Sequence, residues 1–245
     1  MCYNYAPPRK IDLERSGMDV DIPYYILEDK PKYILNGFTF PEVPVIIDSD
    51  HRPLTQMWWG LIPSWVRDQD QALSLRSKTL NARSETLFDK PSFRSAARKH
   101  RCLIPAAGFF EWYTQKGKKY PHYIYSQDIM YFAGIHESWI NKDTGEEIKT
   151  VSIVTKEANP LLELIHDKKR MPVILKPELR EEWVKENNVE ILKEILGSES
   201  PGLNAHSISK LITSRTEDNN VPEVQEEFFY PELEEYYEKL KKIAS

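Results

Sequence analysis

Cysteine and glycine are scarce in this chain of 245 residues, with two of the first and nine of the second. Two cysteines, Cys2 and Cys102, cannot build a disulfide framework, and no four-ligand Cys/His cluster has the spacing of a zinc site, so no metal is expected. A reducing compartment is the default. No stretch approaches the roughly 18–20 apolar residues of a membrane span, and the opening MCYNYAPPRK lacks the apolar run of a signal peptide. A cytoplasmic protein without membrane attachment is expected. No internal period is visible. Seventeen prolines, six tryptophans and thirteen tyrosines point to an irregular, aromatic-rich α+β fold rather than a repeat or a helical bundle. The length and a hydrophobic content of 40% suit one large domain better than two small ones.

Charge is uneven. The net charge is −5, yet residues 52–130 carry thirteen Lys/Arg against six Asp/Glu, a local +7, while residues 216–238 carry nine acids and no base. A polyanion can therefore meet the central segment although the whole chain is acidic; a mixed, solvated surface is the plainer reading.

Residues 1–33, broken by Pro7, Pro8, Pro23 and Pro31, read as a wrapped, loop-rich entry. PEVPVIID (41–48) and QMWWGLIP (56–63) are proline-bounded apolar runs, predicted to be paired buried strands. Asn81 ahead of ARSETLFD reads as a helix N-cap, and 91–100 continues helically. RCLIPAAGFFEWY, YPHYIYS and MYFAGIHESWI predict a three-strand antiparallel meander, with turns at Lys116–Lys119 and Gln127–Asp128. KTVSIVTKE adds a strand, NPLLELIHDKK a helix begun by Pro160, and RMPVIL a short strand. LREEWVKENNVEILKEIL is an amphipathic helical region, and PELEEYYEKLKKIAS a charged terminal helix on the surface.

Cys2 stands out by position. With Met1 removed it carries a free α-amine beside a thiol. An α-amine of pKa about 7.8 is roughly 14% neutral at pH 7, against about 0.04% for a lysine, so it attacks aldehydes far more readily. The resulting imine is one five-membered ring closure from the sulfur, and the thiazolidine so formed resists hydrolysis. The alternative is a cysteine that follows the start codon by chance. Glu111, in GFFEW, is an acid within an aromatic strand, where burial raises its pKa and suits it to proton transfer, unless it faces solvent. His166 can shuttle protons or merely satisfy a helix C-terminus. Asn81 can hold a thiol or sugar oxygen as well as cap. Trp58, Trp59 and Trp65 can stack on bases with Arg67, Arg83 and Arg94 for phosphates, although tryptophans are commonly core residues.

Four signatures occur in order: Met1-Cys2, WGLIPSW (59–65), LNARSET (80–86) with GFFEW (108–112), and Ile165-His166 followed by RMPVIL. Together they resemble the SOS-response-associated peptidase (SRAP) family of abasic-site-processing proteins, from residue 2 to about 215. The resemblance implies curved antiparallel sheets forming a partly open barrel surrounded by helices, with 216–245 as an acidic appended segment. It implies Cys2 as covalent nucleophile, Asn81 as positioner, Glu111 as acid/base and His166 as second proton shuttle, with Arg83 and Arg170 on phosphates and Trp65 and its neighbours against a kinked strand. The implied activity is a thiazolidine crosslink to abasic sites in single-stranded DNA, with lyase and self-processing peptidase action, in a monomer that needs no cofactor. Two rivals stay open: an N-terminal-nucleophile amidohydrolase or peptidase, and a non-catalytic single-strand-binding module. The chain departs from the family pattern in two places. Tyr3-Asn4-Tyr5 follows Cys2 where Gly-Arg-Phe is usual, and Asp167, Lys168 and Lys169 separate His166 from Arg170 where one residue is usual.

Overall fold

The computed structural model describes residues 2–15, 31–47 and 54–244. Part of the loop-rich entry and the end of the 41–48 run lie outside these residues. In chain order the elements are β1 (Asn4–Ala6), α1 (Lys10–Arg15), β2 (Leu35–Asn36), β3 (Glu42–Ile46), β4 (Leu54–Trp59), α2 (Gln69–Arg76), β5 (Asn81–Arg83), α3 (Arg94–Lys99), β6 (Arg101–Gln115), β7 (Lys118–Ile140), β8 (Glu147–Glu157), α4 (Pro160–Ile165), β9 (Arg170–Pro172), α5 (Pro177–Lys185), α6 (Val189–Gly197), β10 (Asn204–Ser207) and α7 (Glu234–Ala244).

The sheet closes on itself through β7-β8-β4-β3-β6 and back to β7, so the expected α+β barrel is present, closed rather than partly open. Closure removes free edges along these five strands. It is a mixed barrel, because β4 and β5 both run parallel to β8 while the other ring pairings are antiparallel. The predicted pairing of the two proline-bounded runs is present as β3–β4, from Glu42↔Trp58 to Ile46↔Leu54.

The β6–β7 hairpin turns on Lys116 and Gly117, at φ 48° and 77°. Positive φ at both central residues matches the right-handed twist of the flanking strands, and Gly117 adopts it without a steric penalty. The second predicted turn, at Gln127–Asp128, is corrected: β7 runs on through it. The register instead jumps there, from Gly108↔Tyr125 to Ala106↔Met130, so that β7 carries extra residues opposite Ala107. The polar pair marks a bend rather than a reversal, and strand pairing resumes on both sides of it.

Alternation along the strands separates two cores. Phe132 joins Cys2, Tyr5, Trp59, Phe109 and Leu162 in one cluster, whereas its neighbour Tyr131 joins Leu61, Phe93, Trp183 and Leu192 in the other, beneath α3, α5 and α6. The predicted amphipathic region is two helices, since Asn188 caps α6 by accepting from Glu190 N–H at 3.0 Å. The terminal helix is packed rather than a surface appendage. Leu233, Tyr236 and Leu240 are buried in the cluster that holds Cys2. No helix among the described residues is long and apolar enough to cross a membrane.

Candidate active site at the N-terminus

β1 lies between β2 and β6, with Tyr5 opposite both Leu35 and Phe109, and this pairing brings the start of the chain to the middle of β6. Cys2 is fully buried. Burial, reinforced by the nearby Glu111 carboxylate, pushes its thiol well above the ordinary range. Its Sγ points to the Asn4 carbonyl at 3.6 Å.

Asn81 is not a helix cap. It opens the short strand β5, parallel to β8 with Asn81↔Ile153, and its Nδ2 donates to the Cys2 carbonyl at 2.8 Å. A parallel strand set against a partner so distant in sequence overrides the local capping pattern. The contact is to the Cys2 main chain rather than to its thiol.

Glu111 lies mid-β6, 4% exposed, and burial raises its carboxyl to about 8. His166 Nε2 stands 3.4 Å from Glu111 Oε2. Burial lowers the imidazole to about 4, so the two groups meet near neutrality as a protonated acid and a neutral ring rather than an ion pair. The tautomer follows from the hydrogen-bond network: Nδ1 lies 2.8 Å from the Arg170 carbonyl, so Nδ1 carries the hydrogen and Nε2 presents a lone pair to Glu111.

α4 supplies His166. Asn159 caps it by accepting from Leu162 N–H at 3.0 Å, Pro160 sits in its first turn, and His166 N–H donates to the Leu162 carbonyl at its end. The residues between His166 and Arg170 form an exposed turn. Lys169 takes φ 48° and its N–H returns to the His166 carbonyl at 2.8 Å. The extra length is thus absorbed outside the site, and Arg170 O still reaches the ring.

Arg170 itself is corrected from a phosphate contact. Its guanidinium is buried, bound to both Glu85 oxygens at 2.6 and 3.0 Å and to the Thr155 carbonyl at 2.7 Å, so it fixes β9 and the LNARSET segment. Trp59 is likewise withdrawn from base stacking: fully buried, it donates its indole N–H to the Leu80 carbonyl at 2.8 Å. Trp58 and Trp65 are 42% and 47% exposed, and Arg67, Arg83 and Arg94 are exposed as well. Trp65 donates to the Pro91 carbonyl at 3.2 Å, which anchors it near the start of α3, the helix that begins at Arg94.

Sequence reasoning missed Glu85, the carboxylate that holds Arg170, and Tyr3. The Tyr3 phenol is pushed up by burial and by Glu111, with Arg83 pulling it down.

A model of the SOS response associated peptidase (SRAP) family matches residues 3–215. The abasic site processing protein YoqW of Bacillus subtilis is 38% identical over 188 residues, covering 74% of this chain and 80% of that protein. The abasic site processing protein HMCES of Xenopus tropicalis is 31% identical over 200 residues, covering 72% of this chain and 58% of that one. A crystal structure of a Bacteroides thetaiotaomicron protein, 34% identical, superposes with a TM-score of 0.83 over 93% of this chain and 100% of that one. From sequence, barrel and site alike, the chain belongs to the SOS response associated peptidase family.

Proposed function

We infer that this protein processes abasic sites in single-stranded DNA, capturing the ring-opened sugar aldehyde with the α-amine and thiol of Cys2 once Met1 is removed. The observation that carries the reading is the convergence on Cys2: Asn81 holds its carbonyl at 2.8 Å, and Glu111, raised to about 8, lies close enough to act on its thiol. The names of the relatives point the same way.

The amine attacks the aldehyde carbon to give a carbinolamine. Glu111, protonated at pH 7, donates to the departing hydroxyl, which leaves as water and yields the imine. The imine so formed is protonated on nitrogen; the Glu111 carboxylate then takes the thiol proton, sulfur bonds to the imine carbon, and the ring nitrogen keeps its one hydrogen. One water is lost overall, and a thiazolidine joins protein to DNA. His166 Nε2 accepts from the protonated Glu111 and holds it in line. Beta-elimination from the imine before ring closure gives lyase action, and hydrolysis of the Met1–Cys2 bond is the peptidase-type step that exposes the amine. Exposed Trp58, Trp65, Arg67, Arg83 and Arg94 bind the strand. No resident cofactor enters any step, and a cytoplasmic monomer suffices for all of them.

The test is a denaturing gel of untagged, N-terminally tagged and Cys2→Ala protein with abasic single-stranded DNA, with heat and borohydride as variables. Only the untagged form should give a heat-stable adduct. Cys2→Ala should give an imine trapped by borohydride alone. A heat-stable adduct from the tagged protein sinks the mechanism.

A further inference from the structure

Beside the site stands an aromatic surface that the proton chemistry does not use. Phe38 sits in the single-turn helix Gly37–Thr39 and is 54% exposed, yet the turn is held firmly. Asn36 Oδ1 accepts from Phe38 N–H at 2.9 Å, and Thr39 Oγ1 donates to the Asn36 carbonyl at 2.8 Å. Gly37 N–H donates to the Tyr3 carbonyl at 2.8 Å, which clamps the turn to the residue that follows Cys2. The Tyr3 and Phe38 rings lie 4.8 Å apart, tilted by 36°.

The next stretch, half-buried, links Phe38 toward the exposed Trp58. Phe40 takes φ 50° and ψ 51°, a left-handed conformation that a bulky side chain adopts only where its surroundings impose it. Its ring lies 4.5 Å from the Arg76 guanidinium, which stands 5.8 Å from the ring of the exposed Trp58. Exposed rings interleaved with cations are the means by which proteins grip unpaired bases and their phosphates. Arg83 is exposed, and its charge acts on the Tyr3 phenol.

A sugar without a base leaves a gap in the strand's stack, so the base next to it has one bare face. An aromatic ring fixed beside the reactive terminus can cover that face. We propose that Phe38, backed by Tyr3, stacks on the nucleobase adjoining the abasic sugar and so selects a lesion with a base beside it over a bare sugar chain. The inference rests on the abasic-site reading.

Binding is measured by anisotropy with single-stranded oligonucleotides that carry tetrahydrofuran, an abasic analogue without an aldehyde. The base on either side of it is replaced by a second tetrahydrofuran in turn. Wild type should lose about tenfold in affinity when the base on one side is removed. Phe38→Ala should lose about the same with that base present and nothing further once it is gone, with Phe38→Trp restoring the wild-type pattern and Phe38→Leu failing to. Because Phe38 is largely exposed, melting temperature should be unchanged across the variants. Independent, additive losses on both sides, or indifference to either base, overturn the stacking role. So does a concentration-dependent dimer of wild type in sedimentation that Phe38→Ala abolishes, which assigns the surface to self-association. The gel assay separates the two readings: if wild type forms adducts but shows no coupling to the neighbouring base, the stacking role alone fails, and if wild type forms no adduct, the abasic-site reading fails with it.

Discussion

Cys2 and Cys102 share residue type and burial, and both thiols are pushed well above their ordinary range. Both lie in the same buried cluster, but their immediate polar partners differ. Cys102 pairs with Gly134 across β6–β7, where a Cβ would stand 2.7 Å from its Sγ, and the side chain of Ile104 lines the same spot. Its carbonyl accepts from the Trp183 indole at 3.0 Å, a wholly structural contact. Cys2 has the Asn81 amide on its main chain and Glu111 close to its thiol. Thiol acidity and exposure therefore fail to separate the cysteine proposed as reactive from the other. What separates them is an acid at hand and a position that can carry a free amine.

The largest effect should come from exchanging the two. Cys2→Ala should abolish the heat-stable adduct, whereas Cys102→Ala should retain it and lose only about 1–2 kcal/mol of stability to the cavity, read from urea midpoints. An adduct that needs Cys102 would break the comparison. Glu111→Gln should slow adduct formation by about a hundredfold while single-strand binding holds, measured by single-turnover gels. In wild type the rate should fall as pH rises through about 8, where Glu111 gives up its proton, and the glutamine variant should lack that limb. Stability carries the same signature with a definite sign. The folded carboxyl holds its proton to about 8 against an ordinary 4.5, so its stabilising contribution is complete below about 4.5 and lost as pH rises through about 8. Melting curves across that window should fall more steeply for wild type than for Glu111→Gln. Asn81→Ala, which deprives the Cys2 carbonyl of its donor, should cost about 1–3 kcal/mol in unfolding and roughly tenfold in adduct rate. The smallest effect concerns labelling: both thiols should react with iodoacetamide at similar, slow rates in the folded protein. Rapid selective labelling of Cys2 would mean that an exposed thiolate is the better description.

Cys2, Glu111 and His166, the last two 3.4 Å apart in the fold, drew notice in the sequence because each combines a reactive type with a telling local setting: a terminus, an aromatic strand, a helix end. Asn81 was misread because its capping pattern is local, whereas its parallel pairing to Ile153 is not. The Gln127–Asp128 signal was real, but polar residues serve a strand bend as readily as a chain reversal. Two corrections had usable signals. Adjacent tryptophans on a strand face opposite ways, so Trp58 and Trp59 could not both be stacking platforms. In α7 and the residue before it, Leu233, Tyr236 and Leu240 repeat at helical spacing, the mark of a buried stripe that the surrounding charges obscured. Tyr3, Phe38 and Glu85 carried no such pattern, since their roles arise from contacts between distant segments.

Because β1 docks against residues 108 and 109, and His166 arrives on a helix later still, the proposed centre is drawn from residues 2, 81, 111 and 166. A chain growing from its N-terminus displays Cys2 first and completes the acid, the amide clamp and the imidazole last. Long-range pairings of this kind form late in folding. Under the proposed mechanism, the nascent protein passes through a period with its terminus open to processing and its trap not yet assembled, and capture begins only when the fold is finished.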